Sequence, residues 1–333
     1  ILTRPTKESW QTPNPNRLNF NYNSISQRIN TGLSFRKSLN RWHIYTGFQF
    51  SKAGNYSSPD QEILHSGYTY YSGVADISYG DEKRQFYFGY IGGLGKDIGK
   101  PDRENDGGNY TVVPSESQQF IRLGYTENNL FADAKLHFSL FYNPTTYFLE
   151  KIKTSGNTWE RSETRGTNLG IKLFLEQELS GSLFYQAGVE WFSRFSLEIK
   201  NSARPLDNNE TGDWTVPLDN GSRNDYSLFL TLQYSGLDRW TFNGGLRYTY
   251  FSTHADTGGG YLEKDSGSYS FFVGVTRKLT SKLAAFINVA RAYRFPSLSE
   301  SFYTGLTGRK YVIGNPLLKP EIGWNIDAGL KYG

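Results

Sequence analysis

Most of this 333-residue chain alternates apolar residues with polar residues or glycine at every second position. The segments 168–176, 226–234 and 324–332 show this clearly, and no segment shows a convincing helical period. Successive side chains of a strand point to opposite faces, so each segment predicts a strand with one apolar and one polar face. The chain is therefore predicted to be all-β.

The ends of the apolar rows distinguish a membrane sheet from a soluble sandwich. Tyr226 and Tyr234 bracket three leucines, and Trp324 and Tyr332 bracket a shorter aliphatic row. Aromatic residues make up 16% of a chain that is only 37% hydrophobic, which suits thin apolar rows better than a thick core. Rings at both ends of such rows are typical of membrane barrels, where they lie at the lipid–water boundary.

The connections between the predicted strands alternate in length. Short ones fall at 38–40, 81–83, 127–129, 180–181, 236–238 and 280–281, and long ones at 52–66, 94–116, 144–165, 200–223, 253–267 and 296–320. This alternation places all long connections at one end of the sheet, as in outer-membrane barrels. The prediction is a transmembrane antiparallel β-barrel of about 14 strands, one of them over 130–143. Several strands exceed the roughly 9–11 residues that cross a bilayer and should project beyond it at the end with the long connections.

Composition excludes several other classes of protein. The formal charge is only +4, and basic and acidic residues are interspersed along the chain. No nucleic-acid partner is therefore expected. Without cysteine, neither a disulfide framework nor a thiolate metal site is possible. The chain has no methionine, even at position 1, and stops directly after a strand. We therefore expect part of a larger barrel, with closure by fourteen strands alone as the alternative.

The stretch 291–332 contains the most distinctive motifs. It carries YRFPSLSE at 293–300 and GNPLLKPE at 314–321. Proline cannot donate to a sheet ladder, so Pro296, Pro316 and Pro320 mark where pairing stops and restarts. The residues between the two motifs are therefore predicted to form a constrained connection between two strands.

These two motifs resemble those of the TonB-dependent outer-membrane receptors, in which they flank an outer loop. The residues that match are Phe295, Pro296, Gly314, Asn315, Pro316, Pro320 and Glu321. ILTRPTK at 1–7 resembles the end of that family's plug, which divides the chain into a plug tail and linker (1–10) and a partial barrel (11–333). The resemblance implies a 22-stranded plugged barrel in the bacterial outer membrane, energised by the TonB complex through a region that these residues do not include.

The same resemblance implies active uptake of a scarce, large ligand, most commonly a ferric siderophore. Aromatic and basic loop residues suit an anionic, aromatic chelate, and the candidates are Trp214, Arg294, Tyr303, Arg309 and Tyr311, with Lys310 beside them. The alternative for each is an ordinary solvated residue or one that faces lipopolysaccharide. Cobalamin, haem and glycans stay open as ligands, although no histidine lies between the two motifs as it commonly does in haem receptors.

A passive porin and an enzyme are the two alternative functions for such a barrel. A passive porin would fit the barrel but not ILTRPTK or GNPLLKPE. An enzyme would need converging groups, and His137 and Asp133 would lie about 13 Å apart on one strand at ~3.3 Å per residue. We therefore predict no enzyme and no cofactor, and we assign no metal-ligating residue.

Two acidic segments were considered as calcium sites. The one that begins at Asp102 has Val113 where an EF-hand needs an acid, so an EF-hand is rejected. A loose calcium site among Asp207, Glu210 and Asp213 stays open.

Charged residues on the predicted polar faces form a separate group. We expect them to pair with one another or to contact the plug: Asp133, Lys135, Glu176, Glu190, Arg194, Arg247, Asp327 and Lys331. Arg291, at the end of a strand, is expected to snorkel or to pair within the wall.

Overall fold

The computed structural model describes residues 16–101, 108–208, 212–306 and 311–333. Fourteen antiparallel strands in these ranges form one sheet. They are β1 (Arg17–Asn23), β2 (Arg28–Leu39), β3 (Trp42–Ala53), β6 (Tyr68–Gly80), β7 (Arg84–Pro101), β8 (Asn109–Glu127), β9 (Lys135–Lys153), β10 (Thr158–Ser180), β11 (Leu183–Pro205), β12 (Thr215–Tyr234), β13 (Trp240–Thr257), β14 (Gly260–Lys278), β15 (Leu283–Arg294) and β18 (Glu321–Tyr332).

Short elements occupy the connections. β4 (Tyr56–Ser57) pairs with β5 (Glu62–Ile63), and β16 (Gly305–Leu306) pairs with β17 (Tyr311–Val312). One short helix, α1, spans Leu298–Phe302, and a single 3-10 turn spans Thr154–Gly156. In the described part of the chain, no helix has the length and apolar character needed to cross a membrane.

Each strand of the large sheet pairs with its neighbours in chain order, from β1 at one edge to β18 at the other. The all-β prediction and the number of strands are thus confirmed. No pairing joins β1 to β18 within the described ranges. The complete, plugged 22-stranded barrel stays a prediction.

The two faces of the sheet differ as the alternation predicted. One face, here called the apolar face, carries large hydrophobic side chains that are open to the surroundings: Leu228 is 62% exposed, Leu246 56% and Val273 55%. Aromatic side chains pair across strands near both ends of this face, as in Trp42–Tyr79 and Tyr226–Tyr250. So large an exposed apolar surface is costly in water and fits contact with hydrocarbon.

The opposite, polar face carries the expected ion pairs. Glu190 lies 2.8 Å from Lys172 and 2.5 Å from Arg247, and Lys135 lies 3.5 Å from Glu176. These contacts confirm that several of the charged residues predicted for the polar face form ion pairs with one another. Contact with a plug stays a prediction.

Four of the predicted long connections are instead mostly strand. The described residues of 94–116, 144–165, 200–223 and 253–267 mostly extend the hairpins, so that β9 and β10 stay paired up to Lys153 and Thr158. The prediction failed because polar residues occupy both faces there, and the alternation disappears. Glu150 and Arg161, for example, lie 3.3 Å apart on the continuation of the apolar face.

The ends of the hairpins nevertheless follow the prediction. The connections 40–41, 81–83, 128–134, 181–182, 235–239 and 279–282 lie at one end, and the extended hairpins and the connection 295–320 lie at the other. We call these the short-turn end and the long-hairpin end. β10 and β11 each have 23 residues, about twice what a bilayer requires. The lengths of the strands are therefore as predicted, and their projection from a membrane at the long-hairpin end stays a prediction.

The strand predicted over 130–143 begins only at Lys135. Ala132 and Asp133 have φ values of 45° and 62°, so they lie in a turn rather than in a strand. The alternation of Leu130 and Ala132 with polar residues in the sequence was coincidental. Asp133 therefore does not belong to the charged polar face, and that prediction was wrong.

Candidate ligand cavity beneath the connection 295–320

The connection 295–320 begins with an aromatic contact on the polar face. Phe295 is 5% exposed, and its ring lies 4.1 Å from that of Phe251 and 4.9 Å from that of Tyr293. Arg223 donates a hydrogen bond to the Pro296 carbonyl at 3.2 Å and also pairs with Asp225. The Phe-Pro motif thus fixes the start of the connection against β12 and β13.

Helix α1 follows at once because its N-terminus is capped. The Ser297 hydroxyl accepts from the Glu300 backbone N–H at 3.2 Å, and the Glu300 carboxylate accepts from the Ser297 backbone N–H at 2.8 Å. This reciprocal arrangement satisfies two donors that a helix start otherwise leaves free. The short helix carries its apolar residues towards the sheet.

The apolar side of α1 forms a small core at the long-hairpin end of the sheet. Leu298, Phe302 and Tyr303 are each at most 4% exposed. They pack against side chains on the extended hairpins: Leu197, Ile199, Leu218 and Ala255. The connection is therefore folded over the polar face at the long-hairpin end.

The Gly-Asn-Pro motif closes the connection against this helix. A Cβ added to Gly314 would lie 2.8 Å from the Phe302 carbonyl carbon and 2.9 Å from the Tyr303 backbone N, so glycine permits the close approach. The Asn315 backbone N–H donates to the Glu300 carbonyl at 2.9 Å, and its side-chain oxygen accepts from the Leu317 N–H at 2.9 Å. The motif is thus explained by backbone packing and turn formation.

Arg294 joins the two ends of the connection. Its guanidinium lies 2.9 Å from the Glu300 carboxylate and 2.6 Å from the Glu321 carboxylate, at the start of β18. Hydrogen bonds from Arg294 and from the Ser297 backbone lower the pKa of Glu300 to about 2. Glu300 is therefore ionised at neutral pH, and the three side chains form one clamp.

A cavity of about 580 Å³ lies between this connection and the polar face of β9, β10 and β11. Its lining is mainly aliphatic and aromatic with a few polar groups: Tyr147, Leu149, Ser162, Thr164, Ile199, Ser299, Glu300, Tyr303, Val312, Ile313, Asn315 and Leu318. Lys100 donates a hydrogen bond to the Tyr147 hydroxyl at 3.2 Å beside the cavity. Burial raises the pKa of Tyr303, so its hydroxyl stays protonated and can donate or accept a hydrogen bond.

The candidates taken from the sequence lie in different places. Tyr303 and Asn315 line the cavity, whereas Arg294 is held in the clamp. Tyr311 is 59% exposed in β17. Trp214 stacks on Arg161, 5.2 Å from the ring centroid to the guanidinium, on the side that continues the apolar face.

The sequence missed most of the cavity wall. Tyr147, Leu149 and Thr164 lie in the stretch 144–165, which is predicted as a long connection, and Ile199 lies just before the predicted connection 200–223. They share one face because Tyr147 pairs with Thr164, which pairs with Ile199. A period-two count continued through the hairpins would have placed Tyr147 and Thr164 on the polar face.

Some candidates lie outside the described residues. These are Arg309, Lys310, Glu210, the acidic segment from Asp102 and the whole of the predicted plug tail at 1–10. Their predicted roles stay predictions. His137 lies 3.4 Å from Glu176 on the polar face, away from the turn that holds Asp133.

Comparison with solved structures shows the same fold in transport proteins. The chain superposes on the copper transporter OprC with a TM-score of 0.73 at 16% identity, covering 92% of this chain and 49% of that one. It superposes on the hemophore receptor HasR of Serratia marcescens, solved with its hemophore and heme, with a TM-score of 0.70 at 15% identity, covering 95% and 50%. For the siderophore receptor PiuA of Acinetobacter baumannii the TM-score is 0.71 at 12% identity, covering 92% and 53%.

The chain thus spans about half the length of these solved structures. At the level of sequence, residues 3–333 match the family described as TonB dependent receptor-like, beta-barrel. The match covers nearly the whole chain and agrees with the fourteen-stranded meander and the two motifs. The chain therefore belongs to the family of TonB-dependent receptor β-barrels.

Proposed function

We propose that the full-length protein is a bacterial outer-membrane receptor that binds a ferric siderophore and imports it with energy from the TonB complex. The cavity beneath the connection 295–320 carries this proposal. Its volume of about 580 Å³ lies within the ≈ 300–1,000 Å³ of typical small-molecule sites. An aliphatic and tyrosine lining with few polar groups suits an organic chelate better than a bare ion.

The same proposal assigns an environment to each surface. The apolar face contacts outer-membrane lipid, the long-hairpin end faces outwards, and the exterior of the extended hairpins adjoins lipopolysaccharide. The TonB complex acts through a plug region outside residues 1–333. Two observations support this arrangement: the exposed apolar residues of the sheet and the family to which the chain belongs.

The fold does not choose the ligand, because proteins named for copper, heme and siderophore share it. None of the described residues that line the cavity is a histidine, which favours a siderophore over haem. In the test below, uptake of haem would appear as growth on haem alone, passive diffusion as growth without TonB, and uptake of cobalamin or a glycan as growth on no iron source that depends on the gene.

The test is growth of a strain that lacks the receptor gene on individual iron sources. We expect the full-length gene to restore growth on at least one ferric siderophore, and only when TonB is present. Thr164→Trp, which fills the cavity from β10, should abolish this growth. Arg165→Trp, the next residue, whose side chain is 60% exposed, is the matched control and should retain it. The proposal would be refuted if the strains with and without the gene differed in growth regardless of the iron source. It would also be refuted if the ferric siderophore were taken up without TonB.

A further inference from the structure

Strand β14 has one backbone edge without a strand neighbour at the long-hairpin end. On its other side, β13 stays paired with β14 without a register shift up to the tip of their hairpin. β15 pairs with β14 only as far as Arg291, opposite Phe271, and then continues beside β18 up to Arg294. Among the described residues, no strand pairs with 261–269 on the side away from β13. We call this side of 261–269 the open edge.

Arg291 marks the point at which β14 and β15 separate. Its guanidinium donates a hydrogen bond to the Tyr269 backbone carbonyl and lies 4.0 Å from the centroid of the Tyr269 ring. A carbonyl that accepts from β15 points away from β13, and every second residue of an antiparallel strand directs its backbone groups to the same side. The backbone N–H and C=O groups of residues 261, 263, 265 and 267 therefore point to the open edge. Those of the even-numbered residues bond to β13.

The two faces of this stretch are covered differently. The odd-numbered residues from 261 to 269 are all exposed. Because Gly267 has no side chain, its exposure is that of the backbone itself. The even-numbered residues face the connection 295–320: Leu262 packs against the small core, and Lys264 donates a hydrogen bond to the Leu318 carbonyl. The open edge is therefore accessible from the outer face of the sheet, and the connection supports it from the polar face.

The open edge lacks the features by which exposed edges usually avoid pairing. The stretch 261–269 contains no proline, and its pairing with β13 has no bulge. Its lysine, Lys264, is bonded to the connection instead of lying along the edge. At about 3.3 Å per residue the stretch is about 26 Å long, enough to pair with a strand of about eight residues. The open edge is therefore suited to the addition of one more strand.

Acidic side chains on the outer face determine which strand can pair there. Glu263 and Asp265 lie on this face of β14, and Asp256 lies on the same face of β13, opposite Tyr261. The outer face of 250–256 and 261–269 carries these three carboxylates and neither lysine nor arginine. Desolvation, followed by the charges of Glu263 and Asp256, raises the pKa of Tyr261. This direction is the one expected beside carboxylates that no cation offsets.

The basic residues of the neighbouring elements do not neutralise these carboxylates. Their described partners lie elsewhere: Arg223 pairs with Asp225, Arg294 with Glu300 and Glu321, Arg291 with the Tyr269 carbonyl, and Lys264 with the Leu318 carbonyl. Lys319 adjoins Leu318, which lines the cavity on the polar face. His254 lies opposite Glu263 and stacks on Tyr261. The outer face beside the open edge is therefore acidic.

We propose that the open edge binds an extended, basic segment of another polypeptide as an additional β-strand. Backbone hydrogen bonds supply the pairing, and lysine or arginine side chains at alternate positions of the added strand contact Glu263 and Asp265. A second copy of this chain would bring the same carboxylates together on adjacent strands, which is unfavourable. This binding requires no molecule in the cavity, so it is separate from the proposed uptake.

Three synthetic peptides test this inference on the full-length receptor in detergent. In the first, lysine alternates with threonine over about eight residues, the length of the open edge. The second has glutamate in place of lysine, and the third is the lysine peptide with methylated backbone nitrogens. Fluorescence anisotropy should show saturable binding of the first peptide alone. When it binds, the amides of Glu263, Asp265 and Gly267 should become protected from hydrogen exchange.

Two variants of Asp265 separate backbone pairing from charge. Asp265→Asn and Asp265→Pro both remove the carboxylate, but only proline also removes the N–H that points to the open edge. Proline is tolerated at such a position because the bonds to β13 use the even-numbered residues. Relative to Asp265→Asn, Asp265→Pro should weaken binding of the lysine peptide roughly tenfold or more. Continued protection of the Ser266 and Ser268 amides shows that the hairpin is intact.

Two results would overturn the inference. Equal binding of the methylated and unmethylated lysine peptides would show that charge alone attracts them. Equal affinities of Asp265→Pro and Asp265→Asn, with Ser266 and Ser268 still protected, would show that the open edge does not pair. The comparison of peptides needs no substitution, so it decides the question even where proline disturbs the hairpin. Growth on the ferric siderophore should be the same in both variants, because Asp265 does not line the cavity.

Discussion

Replacing Phe302 by alanine tests whether the small core holds the connection 295–320 on the sheet. Phe302 is 3% exposed and packs among aliphatic side chains of the extended hairpins. Truncating a buried phenylalanine to alanine costs about 3–5 kcal/mol. Because α1 is a local unit on top of an extensively paired sheet, we expect this cost to appear as opening of the connection rather than unfolding of the strands.

Hydrogen exchange measures that opening directly. The amides of Tyr303 and Asn315 donate to the carbonyls of Ser299 and Glu300 at 3.2 Å and 2.9 Å, so they exchange only when the connection opens. With about 1.4 kcal/mol per tenfold change, the loss corresponds to exchange roughly 10²- to 4 × 10³-fold faster in Phe302→Ala. Amides within β10 and β11 should keep their protection.

The matched control is Phe131→Ala. Phe131 is 56% exposed in the turn at the short-turn end, so the same truncation should leave the connection unaffected. Unchanged exchange at Tyr303 and Asn315 in Phe302→Ala would refute the reasoning, since the clamp and the backbone contacts would then suffice. Equal acceleration in both variants would point to general destabilisation instead.

Three further predictions follow from single contacts. Gly314→Ala forces a Cβ to within 3 Å of backbone atoms of neighbouring residues, so it should accelerate exchange at Asn315 and weaken ligand binding, at a cost of about 1–3 kcal/mol. The pKa of Glu300 is about 2 in the folded protein, against an ordinary value of 4.5. The ionised carboxylate therefore stabilises the clamp fully at pH values above about 4.5, and this contribution to stability is lost as the pH falls from 4.5 towards 2. Pepsin should therefore cleave the connection increasingly over that interval in the wild type, with a flatter response in Glu300→Gln. Glu190→Gln leaves Arg247 and Lys172 without their shared carboxylate, so it should lower the melting temperature. Adding Arg247→Met should restore part of the loss. An unchanged melting temperature in Glu190→Gln would show that these ion pairs contribute no net stability.

The strand segments that carry the apolar face could be predicted because their two faces meet different surroundings. Where one face contacts hydrocarbon and the other a polar interior, side chains must alternate, and the chain records this directly. In the extended hairpins both faces are polar, so apolar and polar residues no longer alternate and the sequence does not reveal the strands. The strand segments within 144–165, 200–205 and 215–223 were therefore missed, although β10 stays paired with β9 up to Lys153 and with β11 up to Pro205.

The cavity was predicted only in part for a related reason. Tyr303 was a ligand-binding candidate from the connection between the two motifs, Asn315 is a residue of the second motif, and both line the cavity. Trp214 precedes β12, whose pairing with β11 has register shifts between Arg194 and Asn201, and its role in ligand binding stays a prediction. Counting positions in the sequence cannot follow a side chain from one face to the other through such irregularities.

The sequence by itself determined the all-β fold, the number of strands, the ends at which hairpins turn, and the family motifs. These depend on local alternation, on proline and glycine chemistry, and on a resemblance carried by a few adjacent residues. Tertiary packing was needed to show that the connection 295–320 folds over the sheet, that Arg294 clamps its two ends, and that Asn201 donates a hydrogen bond to Tyr303. Those contacts join residues distant in the chain, and only strand register and packing bring them together.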